Sequence, residues 1–321
     1  MPENPHTHAP QRSKGGAYLA LAAATLGWST SPIFIRYLSG AYDPYTQAFV
    51  RYFFGLIPLL AYCLYRYPAD LRRALKRPRA LGGLAAVNII NQAAWTVAIF
   101  HPDASATQAQ LITKLQVPST ILFAFFLFRE ERAIIKSRRF LLGTLLGLVG
   151  AGGVMVRDPS VSLLPTLDVP TLMFLYVAVG WGVYAVWGKH SVRDVHPVAM
   201  FTVLSIYTTA GFAVLSVLLG EPATLFTAGW RLTALAAVSG VFPIAVAHSS
   251  YHFAQKHIGA VFCGSLLLLS PLVTNLIALT LWPDEMLTWV QWTGAAVLLL
   301  GSYLVILAER KLGPARSTSA G

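Results

Sequence analysis

The amino-acid sequence predicts an all-α membrane protein with ten transmembrane helices, built as two inverted five-helix repeats, with the N- and C-termini in the cytoplasm. Three observations predict this fold class: an apolar composition, basic residues confined to alternate loops, and landmarks that recur at one sequence offset. Of the 321 residues, 55% are hydrophobic and only 12% are charged. A soluble domain does not need so much apolar surface, so the chain is expected to cross a lipid bilayer many times.

Ten apolar segments are each close to the roughly 20 residues that a spanning helix needs. Residues 1–15 are polar and contain prolines, so we expect a disordered cytoplasmic N-terminus, and residues 309–321 are expected to form a cytoplasmic tail. The first apolar run lacks a small-residue cleavage site and is interpreted as a retained helix, not a signal peptide. The predicted spans are 16–39, 44–66, 80–101, 104–128, 138–156, 170–189, 197–219, 231–255, 258–281 and 287–308.

The positions of the lysines and arginines predict the orientation. With the N-terminus inside, nineteen of the 24 basic residues fall on the cytoplasmic side, while three (Arg36, Arg157, Arg231) lie near the outer face and two (Arg51, Lys114) lie within spans. This asymmetry predicts a multi-pass protein of the cytoplasmic membrane. Because the net charge of +11 is spread over short loops, it indicates membrane topology and no nucleic-acid partner.

An internal repeat links residues 16–156 to residues 170–308. Its landmarks recur at an offset of 153 residues, which falls by two near the end: Gly27-Trp28 and Gly180-Trp181, Pro44 and Pro197, Pro118 and Pro271, Gly143 and Gly294, Gly150 and Gly301. Each repeat holds five spans, an odd number, so the second copy must enter the membrane from the opposite face. Inverted repeats of this kind are typical of secondary transporters, in which interrupted helices at matching positions form a site near the bilayer midplane. Pro118 and Pro271 mark those helices and are predicted hinge or gating positions.

Lys114 lies near the middle of the fourth span and is the strongest candidate for binding a substrate. A lysine at this depth costs about 2.5–3.5 kcal/mol on insertion scales, so it is kept only where it faces water, a partner or a ligand. An ammonium group there suits a carboxylate or phosphate, with Gln110 one turn away on the same helix. The alternative is a lysine that snorkels or pairs structurally.

Other polar and aromatic side chains within the spans are candidates for lining the same site. The polar group of the third span falls on one helical face, which indicates a cavity or, alternatively, contact with a neighbouring helix. The aromatic residues could stack on a substrate or serve ordinary packing. The candidates are Asn88, Asn91, Gln92 and Trp95 on the third span, Trp28 on the first, Trp181 and Tyr184 on the sixth, and His248, Tyr251 and His252 on the eighth.

Three further features leave alternatives open. His248 and His252 are spaced i, i+4, but no Glu lies between them and no further ligand is visible, so no metal is predicted and a proton relay, substrate hydrogen bonds or a structural role remain. Arg51 could pair with a substrate anion, cap helix ends or reach the outer interface. Gly143-xxx-Gly147 indicates close helix packing, within one chain or in a homodimer.

Several stretches together resemble EamA-type transporters of the drug/metabolite transporter superfamily. These stretches are GWSTSPIFIRYL and DPYTQAFVRYFFGLIPLL at the start, TQAQLITKLQVPSTILFAFFLFREE and GAVFCGSLLLLSPLVTNLIALTLWPDE around the two prolines, and VQWTGAAVLLLGSYL near the end. The resemblance covers about residues 16–308 and implies ten helices, two inverted repeats and a central cavity for small organic metabolites, often amino acids or drugs. The chain departs from the family pattern where Leu267 stands at the position equivalent to Lys114, so a charge-binding site would be asymmetric. It also departs where Glu130-Glu131 and Asp284-Glu285 replace the usual Gly-Glu.

The expected function is secondary transport of small organic metabolites by alternating access. Export of amino acids or related compounds is the first expectation, and exchange of phosphorylated or other anionic metabolites is the alternative. No GxxxxGK[ST] loop is present in the sequence, so no nucleotide hydrolysis and no cofactor are expected. A membrane-embedded enzyme would need acidic pairs or an activated nucleophile within the spans, whereas the acidic residues lie at helix ends or in loops. A scaffold without flux is the third possibility. The expected partners are a small-molecule substrate and the lipid bilayer, with the chain a monomer or homodimer.

Overall fold

The computed structural model describes residues 12–127, 135–191, 195–258 and 260–312, and these form an all-helical protein. Eight of its helical segments are long and apolar enough to cross a membrane. The predicted span 138–156 contains a helix of 17 residues, and the predicted span 258–281 contains two shorter helices, so the count of ten spans stays a prediction. The expected disordered N-terminus and C-terminal tail lie mostly outside the described residues, as do Glu130 and Glu131.

The described helices follow one another along the chain. In chain order they are α1 (Arg12–Tyr37), α2 (Pro44–Arg66), α3 (Pro68–Leu75), α4 (Pro78–Phe100), α5 (Ala106–Ile112), α6 (Gln116–Leu127), α7 (Arg138–Val154), α8 (Val169–Ser191), α9 (Pro197–Leu219), α10 (Thr224–Thr227), α11 (Gly229–Gly240), α12 (Ala247–Ile258), α13 (Ala260–Leu267), α14 (Ser270–Leu281) and α15 (Trp289–Leu312). A π-helical segment, Val241–Val246, joins α11 to α12, and 3₁₀ turns follow α1, α5 and α14.

Helix starts follow from local sequence. Proline is the first residue of α2, α3, α4 and α9, where its missing N–H costs no hydrogen bond and its fixed φ suits a helix. Asp43 caps α2 by accepting hydrogen bonds from the backbone N–H groups of Tyr45 and Thr46 at 2.9 and 3.0 Å. It also accepts one from Glu221 N–H, beyond the end of α9, and so connects the two repeats. Partial burial acts to raise the pKa of Asp43, but these hydrogen bonds outweigh it and hold the pKa below its ordinary value.

The main helix contacts join one repeat to the other. Helix α1 packs on α12, α2 on α9, α4 on α8, and α7 on α15. In the repeat, α1 is equivalent to α8 and α12 to α4, so the contact of α1 with α12 is the counterpart of the contact of α8 with α4. The other two contacts each join a helix to its own equivalent, α2 to α9 and α7 to α15. The core is therefore an interface between two similar units, and it contains the large buried side chains Phe174 and Phe212.

The seam between α7 and α15 is built on glycines. A Cβ added at Gly143 would lie 2.6 Å from Gly301 O, and one at Gly150 would lie 2.6 Å from Gly294 O. The earlier glycine of α7, Gly143, meets the later glycine of α15, Gly301, and Gly150 meets Gly294. The two equivalent helices are therefore antiparallel, as an inverted repeat requires. The close packing expected from Gly143-xxx-Gly147 is thus found within one chain. Glycine has no side chain, so the two helix backbones can approach each other closely.

Candidate functional site

The fourth and ninth predicted spans are both interrupted near their middle. Helix α5 ends at Ile112, a 3₁₀ turn covers Thr113–Leu115, and α6 follows with Pro118 in its first turn. Likewise, α13 ends at Leu267 and α14 begins at Ser270, just before Pro271. Proline lacks an N–H and clashes with the preceding turn, so each proline favours a break in the helix ahead of it. The interruptions therefore lie at matching positions of the two repeats.

Lys114 connects the two interruptions. Its Nζ donates a hydrogen bond to Ser270 Oγ at 2.7 Å, across the boundary between the repeats. Ser270 is buried and Lys114 is partly buried. Among the described residues no carboxylate forms an ion pair with this ammonium group, which therefore meets a neutral hydroxyl. Such a group retains the capacity to bind an anion.

Helix α1 passes beside these breaks and contains a proline of its own, Pro32. Because Pro32 has no N–H, the carbonyl of Trp28 lacks its usual helical partner. Gln110 Nε2 supplies a hydrogen bond to that carbonyl at 2.7 Å, and Thr274 Oγ1 reaches the next carbonyl, Ser29 O, at 2.8 Å. Gln110 thus contacts α1 one turn from Lys114, and α5 and α14 both donate hydrogen bonds to the backbone of α1 ahead of Pro32.

The side chain of Trp28 contacts aromatic residues of the second repeat. The indole ring is in edge contact with His248 and Tyr251, at centroid distances of 5.0 and 4.9 Å. His248 also stacks on Phe201 at 4.0 Å, and its Nδ1 lies 2.9 Å from Ile244 O, within the π-helical segment. π-helical segments are frequent at functional sites. The structure therefore brings together Trp28, His248 and Tyr251, three of the residues predicted to line a site.

His252 lies one turn after His248 and is partly buried, with Tyr251 beside it at 6.1 Å between ring centroids. Within the described ranges, no group of three or more His, Cys, Asp or Glu side chains could hold a metal ion.

The polar residues of the third span contact neighbouring helices. Asn88 Nδ2 donates to Thr208 Oγ1 at 3.1 Å and to Tyr52 OH at 3.3 Å, which joins α4 to α9 and α2. The amide of Asn91 is buried against Gly180 of α8, and neither of its polar atoms has a hydrogen-bond partner. Gln92, next to it, is partly buried. In this arrangement Asn88 and Asn91 lie between helices, and their binding of a substrate stays a prediction.

The aromatic residues of the sixth span, Trp181 and Tyr184, pack in two different clusters. Trp181 lies 5.3 Å from buried Trp95, which also contacts Phe174 at 5.7 Å. Tyr184 is partly buried within the cluster around α2, α4 and α9. These residues therefore belong to the packing of α8 against α4 and its neighbours, and their contact with a substrate is a prediction still.

A polar cluster that the sequence patterns did not indicate joins the two repeats at the end of α1 and the start of α5. Arg36, at the end of α1, forms an ion pair with Glu285 and donates to Ala104 O at 2.8 Å. Glu285 also accepts hydrogen bonds from Ser105 Oγ at 2.6 Å and Ala106 N–H at 3.0 Å, at the start of α5. One carboxylate from the second repeat thus joins two elements of the first. The acidic residue was visible in the sequence, but its partner lies 249 positions away.

The model of the EamA-like transporter family matches the chain twice, over residues 15–156 and 170–307. Thirteen chains of solved structures match as well. One of them, from a crystal structure, is 19% identical, with a TM-score of 0.61 over 93% of this chain and 99% of its own length. At this level of identity the likeness shows a shared fold. No curated protein matches the chain.

Proposed function

Because the chain belongs to the EamA-like transporter family and is a multi-pass membrane protein, we propose that it is a secondary transporter of small organic metabolites in the cytoplasmic membrane. It would work by alternating access and export amino acids or related compounds, with both termini in the cytoplasm. The observation that carries this proposal is the hydrogen bond from Lys114 to Ser270, at the point where matching helices of the two repeats are interrupted. Interrupted helices at matching positions are where secondary transporters hold their substrates.

Alternating access needs contacts between the repeats that can open at one end. The ion pair between Arg36 and Glu285, with the hydrogen bonds of Glu285 to the start of α5, supports this part of the proposal. Opening that end would require Arg36 and the first turn of α5 to leave the carboxylate. The proline breaks and the π-helical segment offer places where helices can bend without breaking further hydrogen bonds.

A second candidate function is exchange of phosphorylated or other anionic metabolites. It is favoured by the fact that Lys114 meets a hydroxyl and no carboxylate among the described residues. An ammonium group without an acidic partner is suited to a substrate that carries the negative charge itself.

The test is flux in proteoliposomes that contain the purified full-length protein, with a panel of amino acids, organic acids and phosphorylated metabolites. We expect flux of at least one compound, and we expect Lys114→Ala to reduce it by about 10- to 100-fold, since a hydrogen bond to a charged group contributes roughly 1.5–3 kcal/mol. Leu267→Ala, at the equivalent position of the second repeat, is the matched control and should retain flux. Acceleration by a compound on the opposite side would distinguish exchange from export.

Two results would contradict the proposal. Absence of flux for every compound by correctly folded protein would favour a scaffold without transport. Normal flux by Lys114→Ala would remove Lys114 from the mechanism.

A further inference from the structure

Arg51 is a second cationic side chain inside the spans, and its surroundings differ from those of Lys114. It lies in the second turn of α2 and is only 4% exposed. Its Nε donates to Ser239 Oγ at 3.1 Å, and its Nη2 donates to Ser31 Oγ at 2.8 Å. These two partners belong to α11 and α1, so the guanidinium group lies where three helices and both repeats meet.

The positive charge of Arg51 has no acidic partner in the described part of the chain. A guanidinium group stays protonated in proteins, so burial cannot neutralise it. Both hydrogen-bond partners are neutral hydroxyls. Asp43, the preceding acidic residue in the sequence, is occupied with the backbone N–H groups of Tyr45, Thr46 and Glu221. A buried charge with only neutral partners is costly in a membrane and marks a functional position.

Part of the guanidinium group makes no hydrogen bond in the described structure. Because Ser239 and Ser31 engage Nε and Nη2, the edge formed by the two terminal nitrogens is available for the two-point hydrogen bonding that carboxylate and phosphate groups accept. Ser31 is only partly buried, and in the described structure no hydrogen bond uses its O–H as donor. Its hydroxyl can therefore donate to the same anion that the guanidinium group binds.

The site lies between two irregular points of the fold. Ser31 immediately precedes Pro32, the proline within α1, and Ser239 precedes the π-helical segment by two residues. Between that serine and the segment, Gly240 packs directly on the backbone of Arg51, where any side chain would meet the Arg51 carbonyl. On α1, Ser31 is one turn from Trp28, whose ring contacts His248 and Tyr251. The serine that contacts Arg51 and the tryptophan of this aromatic group thus lie on neighbouring turns of α1.

We propose that Arg51 and Ser31 bind the anionic group, a carboxylate or a phosphate, of the transported compound, while Ser239 holds the guanidinium group in place. This inference rests on the proposed transport function and narrows its substrate class to compounds that carry a carboxylate or phosphate group. The site is separate from the Lys114–Ser270 contact, because it uses α2 and α11 in place of the two interrupted helices.

The experiment measures binding to the purified full-length protein with three probes: benzoate, inorganic phosphate, and benzamide as the neutral counterpart of benzoate. Affinity is obtained from the rise in melting temperature with probe concentration. We expect benzoate or phosphate to raise the melting temperature of the wild-type protein, and benzamide to leave it unchanged. Arg51→Gln should weaken the binding at least tenfold, and Arg51→Lys should recover part of it. Arg231→Gln, which removes an exposed arginine at the start of α11, is the matched control and should bind as the wild type does.

The arms of the experiment separate the possible ligands and the possible failures. A response to benzoate alone identifies a carboxylate site, and a response to phosphate alone identifies a phosphate site. No response of the wild-type protein to either anion, or equal binding by wild type and Arg51→Gln, would overturn the inference. If Arg51→Gln does not fold, Ser31→Ala takes its place, with at least threefold weaker binding expected and unchanged binding overturning the inference.

Flux measurements separate this inference from the transport proposal. Anion binding that depends on Arg51, in a protein without flux for any compound, would overturn transport and support the site. Undiminished flux of an anionic compound through Arg51→Gln would overturn the site and leave transport in place.

Discussion

The glycine seam between α7 and α15 makes a quantitative prediction about stability. In a membrane, two apolar helices gain little from leaving lipid, so close packing of their backbones supplies much of the attraction between them. A Cβ at Gly143 would lie 2.6 Å from Gly301 O, and one at Gly301 would lie 2.5 Å from Gly143 O. Both distances are about 1 Å below an ordinary Cβ contact, and the obstructing atoms belong to the backbone, so the helices must move apart.

We expect Gly143→Ala and Gly301→Ala each to destabilise the protein by about 1–3 kcal/mol, the usual cost of overpacking a close contact. The better helix propensity of alanine offsets at most about 1 kcal/mol. Gly82→Ala, in α4, is the matched control, because nothing lies within 4 Å of a Cβ added there, and it should be neutral or stabilising.

Unfolding can be followed with a thiol-reactive dye, since Cys63 and Cys263 are the two cysteines of the chain and both are buried. The double variant of Gly143 and Gly301 should cost less than the two single variants combined, because a seam that has already separated accommodates the second methyl group. Melting temperatures of the seam variants equal to that of Gly82→Ala would refute the assigned register of the two helices.

Three further predictions concern the connections between the repeats. Asp43 has a lowered pKa, so its contribution to stability is fully present above the ordinary aspartate pKa of about 4 and is lost as the pH falls through the folded-state pKa. The variant Asp43→Asn should melt at a lower temperature than the wild type at pH 7. Its melting temperature should also fall less than that of the wild type between about pH 5 and pH 3. Gln110→Leu should lower the free energy of unfolding by about 1–3 kcal/mol, because it leaves the carbonyl of Trp28 without a hydrogen-bond partner. In a Pro32→Ala background the same change should cost less, because alanine restores the helical N–H. Thermal unfolding of the wild type, the two single variants and the double variant checks this, and an equal cost in both backgrounds would contradict it. Glu285→Gln should lower the melting temperature more than Arg36→Gln. Both changes remove the ion pair, but Glu285 also accepts hydrogen bonds from Ser105 and Ala106 at the start of α5, and the opposite order of melting temperatures would contradict this role of Glu285.

Much of the helix pattern was predictable from hydropathy and proline placement. The predicted spans 44–66 and 197–219 have the same bounds as α2 and α9, because each begins with a proline after a capping residue. The matching interruptions at Pro118 and Pro271 also followed from the sequence, since a missing N–H acts locally. The repeat makes Gly143 and Gly150 equivalent to Gly294 and Gly301. The structure brings the same four glycines together across the seam, but in the reverse order, Gly143 with Gly301 and Gly150 with Gly294, because the two helices are antiparallel.

The contacts within the candidate site were less predictable. The helical period placed Asn88, Asn91 and Trp95 on one face, but it does not indicate what that face meets, and in the structure it packs on neighbouring helices. Nothing in the local sequence pairs Lys114 with Ser270 or Arg36 with Glu285, because those residues lie far apart in the chain and meet only when the repeats pack. The π-helical segment has no simple sequence period either, although Pro243 within it marks a place where the regular helix is disturbed.

The hydrogen bond from Gln110 to the backbone of α1 has a mechanical consequence. This bond links α1 to α5, the helix that leads into the 3₁₀ turn with Lys114, and the side chain of Gln110 is buried. Because Pro32 has no N–H, a displacement of α5 that breaks the bond leaves the carbonyl of Trp28 without a partner unless α1 moves with α5. A movement of α1 near Pro32 and a repositioning of the ammonium group are therefore expected to occur together.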